Sequence, residues 1–335
     1  MKKQKAEENM PSQEVDNTQR VLDTITKTYG DDVLYSGSHL IENPPPILSW
    51  SPALDIALGG GVPPGIVCLC SRPKLGKTSS AISLARNAQK AGLFVLICDI
   101  EGRLAPRDLD IDGLDHSKLQ IISSSATNML SDESFLGAAR EVIFSIPKSF
   151  IILDSISQLL SNARRDNNLS DKFRAPEAMV LAAFFRQITP ILNKQNSYVV
   201  AITHQIANLG NSQAIWAESG GTKVQYCLST KIKGISSEAF PKNDKPLGLK
   251  IKWQVMASPL GPPGIITESF LRFGHGLDKV LEILDLGLNV GVIQASGSWY
   301  VYDDIKAQGQ EKFRTALIES GRVDELHSKI KEILL

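Results

Sequence analysis

Cysteine is scarce in this chain: four in 335 residues, at Cys68, Cys70, Cys98 and Cys227. The first three lie in apolar, strand-like runs, where a free thiol behaves as a small buried hydrophobe, and none has the spacing of a metal site. This excludes a disulfide framework and points to a reducing, intracellular compartment. The five histidines are scattered, with no H-E-x-x-H pattern, so metal catalysis by protein ligands alone is not indicated. Net charge is missing too: Lys+Arg and Asp+Glu balance at 36 each. Any contact with nucleic acid must therefore come from a local basic patch. No run approaches the roughly 18 uninterrupted apolar residues of a membrane span. The opening "MKKQKAEENMPSQEVDNTQ" has basic residues without the apolar core of a secretory signal. The expectation is a soluble, cytoplasmic protein with no membrane partner.

What is present suits a globular chain, 42% hydrophobic and 21% charged, long enough to bury a sizeable core. Residues 1–15 are polar and aperiodic, a mobile tail by expectation. From Asn17, "NTQRVLDTITKTYG" sets Val21, Leu22, Ile25 and Tyr29 near helical spacing, with Gly30 as a C-cap. The plain reading of this amphipathic helix is packing on its own core. Proline-rich "IENPPPILSWSP" then marks a boundary near residues 42–47. Beyond it, "GIVCLCS" (65–71), "FVLICD" (94–99), "LQIISS", "SFIILDS" (149–155) and "YVVAIT" (198–203) read as buried strands. Helices are expected over 77–91, near 132–145 and over 177–193, which makes a parallel sheet covered on both faces. "TKVQYCLSTKIKGI", "LGLKIKWQVM" and "ESFLRF" look like an antiparallel extension of that sheet. From His275 onward a small α/β appendage follows.

The chemistry concentrates at "SRPKLGKTSS" (71–80). A buried strand, a loop, then Gly76, Lys77 and Thr78 opening a helix is the context of a phosphate-binding loop. In such a loop, formed here by Ser71, Arg72, Pro73, Lys74, Leu75 and Gly76 with Ser79 at the helix start, the backbone N–H groups of all but the proline can surround the phosphates. Lys77 neutralises the β and γ oxygens, and Thr78 offers its hydroxyl to Mg2+. Ser71 stands where an opening glycine is expected. Asp154 ends a buried strand, where a carboxylate can hold the water shell of a magnesium ion or serve only as a loop or capping residue. Glu101 follows the neighbouring strand, placed to orient and deprotonate an attacking water. Thr203, His204 and Gln205 end the next strand, where a polar side chain can contact a γ-phosphate and report it to the segment that follows.

That segment, "IANLGNSQAIWAESGG" (206–221), is long and glycine-bearing, and Trp216 in it is either a stacking group for bases or a residue folded back on the core. "NARRDNNLSDKFRAPE" (162–177) carries Arg164, Arg165, Lys172 and Arg174, which suit a phosphate backbone or form a plain solvated charge run.

Taken in order, "ALDIALGGGVPPGIV", "DIEGRLAP", "ILDSISQL", "ITHQI", "SGGTKVQY" and the tail from "GLDKVLEILDLGLNVG" resemble the RecA family of bacterial and phage strand-exchange recombinases, from about residue 17 to the C-terminus. The resemblance implies an α/β fold: a RecA-like P-loop ATPase core with a mainly parallel central sheet, an N-terminal oligomerisation helix and a small C-terminal α/β domain. The domains implied are 1–46 (tail, helix and the strand-like "DVLYSG"), 47–274 (core) and 275–335. ATP and Mg2+ are the implied cofactors. Lys77 and Thr78 become the phosphate and magnesium contacts, Glu101 the base, Asp154 the magnesium residue and Gln205 the γ-phosphate sensor. Residues 162–176 and 206–219 match two DNA-binding loops, with Asn208, Gly210, Trp216, Gly220 and Gly221 in or beside the second. Implied partners are single-stranded DNA, homologous double-stranded DNA, further copies of the chain in a helical filament, and loader and single-strand-binding proteins.

Four positions depart from the family pattern: Ser71; His204, in place of asparagine; Asp108, in place of an aromatic that stacks on adenine; and Trp253 with Val255, in place of two lysines that reach a neighbour's ATP. Lys252 is one place off, on the opposite face of a strand. Such departures, and the ending "KIKEILL" without an acidic tail, fit a phage-encoded or divergent member. Two other readings stay open: a hydrolysis-poor mediator or structural filament on DNA, and a ring-forming ATPase of the same fold.

Overall fold

The computed structural model describes residues 11–159, 176–207, 216–218, 227–241 and 245–335. It divides into two compact units, residues 1–45 and 46–335.

In the first unit, helix α1 spans Pro11–Tyr29 and α2 spans Gly37–Glu42. Residues 11–15, expected as tail, are helical, because a proline's fixed φ and missing N–H suit a first helical turn. The strand expected at "DVLYSG" is corrected: residues 31–33 turn, Val33 N donating to Gly30 O at 3.4 Å, and α2 starts at Gly37. A strand needs a ladder partner, and the described residues of this unit contain none.

The second unit runs α3 (Pro52–Leu58), β1 (Gly65–Ser71), α4 (Lys77–Lys90), β2 (Phe94–Asp99), α5 (Pro106–Leu109), β3 (Leu119–Ser123), α6 (Asp132–Ser145), β4 (Ser149–Asp154), α7 (Pro176–Gln195), β5 (Tyr198–Ala207) and β6 (Trp216–Glu218). It continues with β7 (Thr230–Phe240), β8 (Gly248–Ala257), β9 (Ile266–Arg272), β10 (Gly276–Leu277), α8 (Lys279–Asn289), β11 (Gln294–Ser296), β12 (Trp299–Tyr302), β13 (Ile305–Gln308), α9 (Gln310–Glu319) and α10 (Val323–Leu334). The sheet order is β10-β9-β8-β7-β1-β5-β4-β2-β3. Pairings from β7 through β1 to β3 are parallel, and those from β10 to β7 antiparallel.

The period of two along each strand splits the core. Val67 and Leu69 of β1, Phe150 and Ile152 of β4, and Val200 and Ile202 of β5 pack with Ile82, Leu84 and Ala85 of α4. Ile66, Ile151, Leu153, Val199 and Ala201 pack on the other face with Phe135 and Leu136 of α6 and Phe185 and Ile188 of α7. Because both faces are covered, these strands read as unbroken apolar runs. A third cluster, including Phe270, Leu281, Leu284, Phe313, Leu326 and Ile330, gathers α8, α9 and α10 around the sheet β11-β12-β13.

The segment 206–221, expected as a loop, is in part strand: β5 continues to Ala207 and pairs antiparallel with β6, Ile206 opposite Ala217. Consecutive backbone groups at a sheet edge are satisfied by pairing even where the residues are polar. Among the described residues, no helix is long and apolar enough to cross a membrane.

Candidate nucleotide-binding site

The loop between β1 and α4 is built around one buried ammonium. Ser71 is fully buried and ends β1 in extended backbone, so the missing glycine costs nothing in φ. The unusual angles fall later, at Lys74 (φ 64°) and Gly76 (φ 76°). A Cβ on Gly76 would also lie 2.8 Å from Ile251 Cδ1 and from Leu271 Cδ2, which requires glycine there. Arg72, Pro73 and Lys74 are exposed while Leu75 is buried. Ser79 lies in the first turn of α4.

Lys77, 5% exposed, turns back over the loop: Nζ donates to Arg72 O at 3.0 Å, Ser71 Oγ at 3.2 Å and Ser71 O at 3.3 Å. Ser71 Oγ in turn donates to Arg72 O at 2.8 Å. Burial pulls the Lys77 pKa below its ordinary value, against the opposing charges of Asp154 and Glu101. An ammonium held by neutral oxygens at a helix N-terminus is a site that an anion completes, so the residues fit a nucleotide phosphate.

The Thr78 hydroxyl donates to Asp154 Oδ2 at 2.6 Å. Burial pushes Asp154 up to about 6, more than the Thr78 bond and Lys77 lower it. The hydroxyl and carboxylate form an all-oxygen pair of the kind magnesium takes, directly and through water. Glu101 lies just past β2, with Ile100 N and its own N donating to Asp154 O at 2.8 and 3.1 Å. Its Oε1 accepts from Ser155 Oγ at 2.8 Å and lies 2.7 Å from His204 Nε2. Burial works to raise the Glu101 pKa, but His204, Ser155 and Arg103 hold it below the usual carboxylate value.

The fold thus brings Ser71, Lys77, Thr78, Glu101 and Asp154 together at the ends of β1, β2 and β4. Gln205 is buried one residue beyond His204, opposite Glu218 of β6. By strand alternation it faces with Val199 and Ala201, away from α4, whereas His204 faces towards it. The contacts of Ser155 and His204 with Glu101 were missed by sequence reasoning. The signal available was their position at strand ends, Ser155 directly after Asp154 and His204 between Thr203 and Gln205.

Beside the loop lies a cavity of about 450 Å3 lined by Lys74, Gly76, Ser79, Asp108, Asp110, Leu249 and Phe273. Asp108 Oδ2 accepts from Ala105 N at 2.9 Å, so this carboxylate closes the first turn of α5. Trp253 and Val255 are fully buried core residues, and Lys252 is exposed on the other face of β8. Arg164, Arg165, Lys172, Arg174, Asn208, Gly210, Gly220 and Gly221 lie outside the described residues, and of Trp216 only the backbone is described, in β6.

Comparison with known proteins accounts for almost the whole chain. Residues 16–278 match the RecA N-terminal domain and residues 281–335 the RecA C-terminal domain. The chain is similar to protein RecA of Campylobacter fetus subsp. fetus, 29% identical over 94% of this chain and 93% of the relative. It is also similar to protein RecA of Cytophaga hutchinsonii, 27% identical over 99% of this chain and 94% of the relative. With the P-loop ATPase fold of that family and both of its domains present, the chain belongs to the RecA family.

Proposed function

We propose that this protein is an ATP-dependent recombinase that polymerises on single-stranded DNA, aligns it with homologous duplex and exchanges strands. The observation that carries the reading is the buried Lys77 ammonium, wrapped in loop oxygens beside the Thr78–Asp154 and Glu101 groups. Lys77 and the loop N–H groups bind the phosphates of ATP. Thr78 and Asp154 hold Mg2+, which when bound neutralises charge on the β and γ oxygens. Glu101 accepts the proton of the attacking water. Gln205, which in this structure faces away from α4, would link the γ-phosphate to the segment 206–219 only on turning towards the loop, and that segment with 162–176 binds DNA through backbone and stacking contacts. Self-assembly is supported by the apolar side chains that residues 1–45 leave exposed, among them Val21, Tyr29, Leu40 and Ile41. The bacterial relatives named above lend nothing to a phage origin.

A second reading, a hydrolysis-poor mediator or structural filament, is favoured by Trp253 and Val255, which are buried where cations would be needed. Steady-state ATP hydrolysis with and without long single-stranded DNA, with Lys77→Ala as the blank, separates the two. DNA-stimulated turnover lost in the variant supports the recombinase. DNA binding that needs ATP without turnover supports the mediator, and closed rings in electron micrographs would count against both.

A further inference from the structure

Strand β5 delivers to the site a residue whose task the motifs leave unassigned. His204 Nε2 lies 2.7 Å from Glu101 Oε1, the oxygen that also accepts from Ser155 Oγ at 2.8 Å. The other oxygen, Oε2, has Arg103 Nε at 3.6 Å. The His204 backbone is fixed in turn: its N–H donates to Ser157 Oγ at 2.8 Å, and its Cα stands opposite Ser71 in the β1–β5 ladder. Glu101 sits in a bend beyond the end of β2, so no regular backbone directs its side chain. A flexible carboxylate in that position is oriented by whatever donates to it. Two donors on Oε1 occupy that oxygen and leave Oε2 to take a proton.

We propose that His204 is a positioning residue for ATP hydrolysis: its imidazole holds Oε1 of Glu101 so that Oε2 faces the attacking water. Because His204 belongs to β5, the same contact ties the base to the strand that leads into residues 206–219. In the step it serves, the water oxygen bonds to the γ-phosphorus and the bond to the bridging oxygen breaks, its electron pair leaving with ADP. The proton from water goes to Oε2. The inference rests on the reading of Glu101 as the base.

The test compares steady-state hydrolysis on long single-stranded DNA and direct ATP binding for the wild type, Glu101→Gln, His204→Ala, His204→Asn and His204→Gln. Glu101→Gln should lose about 100-fold or more in kcat. His204→Ala and His204→Asn should lose about 10- to 100-fold in kcat with ATP binding unchanged, the cost of a misplaced group. Glutamine, whose amide extends far enough to donate to Oε1, should recover most of the loss, whereas the shorter asparagine should not. Wild-type kcat in His204→Ala, or glutamine no better than alanine, overturns the positioning role and leaves Glu101 as the base. A parallel loss of ATP binding overturns it as well, by marking His204 as structural. Wild-type turnover in Glu101→Gln removes the base assignment itself, and a wild type without any turnover removes both.

Discussion

Ser71 and Gly234 face each other across the β1–β7 pair so closely that a Cβ on Gly234 would lie 2.8 Å from the Ser71 Cβ and 3.1 Å from Trp253 Cζ3. The glycine missing from the start of the phosphate loop is therefore matched by one on the neighbouring strand, which leaves room for the serine side chain. The serine hydroxyl accepts from Lys77 Nζ, so the substitution is built into the site.

Gly234→Ala should lower stability by about 1–3 kcal/mol, the range of overpacked cores, and weaken ATP binding through Ser71. Adding Ser71→Gly should restore much of both, because the two residues share one clash. A double-mutant cycle on thermal unfolding checks this, and purely additive effects would refute the coupling.

Lys77 is held for ligand binding at the expense of the fold. Lys77→Met should bind ATP about 100-fold more weakly, equivalent to ~3 kcal/mol. It should also leave stability unchanged or raise it by ~1 kcal/mol, because an apolar group replaces a buried charge. Calorimetric titration with ATP and an unfolding curve measure the two effects separately. A large drop in Tm would mean that Lys77 supports the fold.

Glu282 is completely buried in α8, accepting from Ala53 N at 2.9 Å through Oε2. Ser51 and Ser269 lie close to the same carboxyl group and favour its charged form. Burial pushes Glu282 from 4.5 up to about 8, and burial likewise raises Asp55 from 3.8 to about 6. Both groups hold protons more tightly in the folded chain, so their contribution is complete below their unfolded pKa values and is lost as pH rises through about 6 and then about 8. Urea unfolding should show lower stability at about pH 9 than at about pH 6, with a flatter dependence in Glu282→Gln. Equal slopes would contradict the assignment.

Trp253→Lys should not present a cation at the surface. The position is fully buried against the β1 side of the core, so the substitution should cost about 4 kcal/mol or more, from cavity and buried charge together. Lys252→Ala, on the exposed face, should change stability by less than about 0.5 kcal/mol. Unfolding curves of the two variants check the contrast.

Local pattern was enough for much of this molecule. The run "GIVCLCS" followed by Gly76-Lys77-Thr78 specifies strand, loop and helix within a dozen or so positions, because apolar runs, glycine angles and helix starts act over a few neighbours. The ends of β2 and β4 carried Glu101 and Asp154 in the same way. Other features lay beyond reach because their partners are far apart in the chain. Ser71 meets Gly234, and Glu101 meets His204, only when the sheet is ordered β7-β1-β5-β4-β2. The strand at "DVLYSG" and the unbroken loop at 206–221 failed as expectations for a related reason: a strand exists only where another backbone pairs with it. The sequence by itself determined which groups could do chemistry at each strand end. The tertiary structure alone decided which of those groups touch, since hydrogen bonds and clashes depend on distances that only strand order and register set.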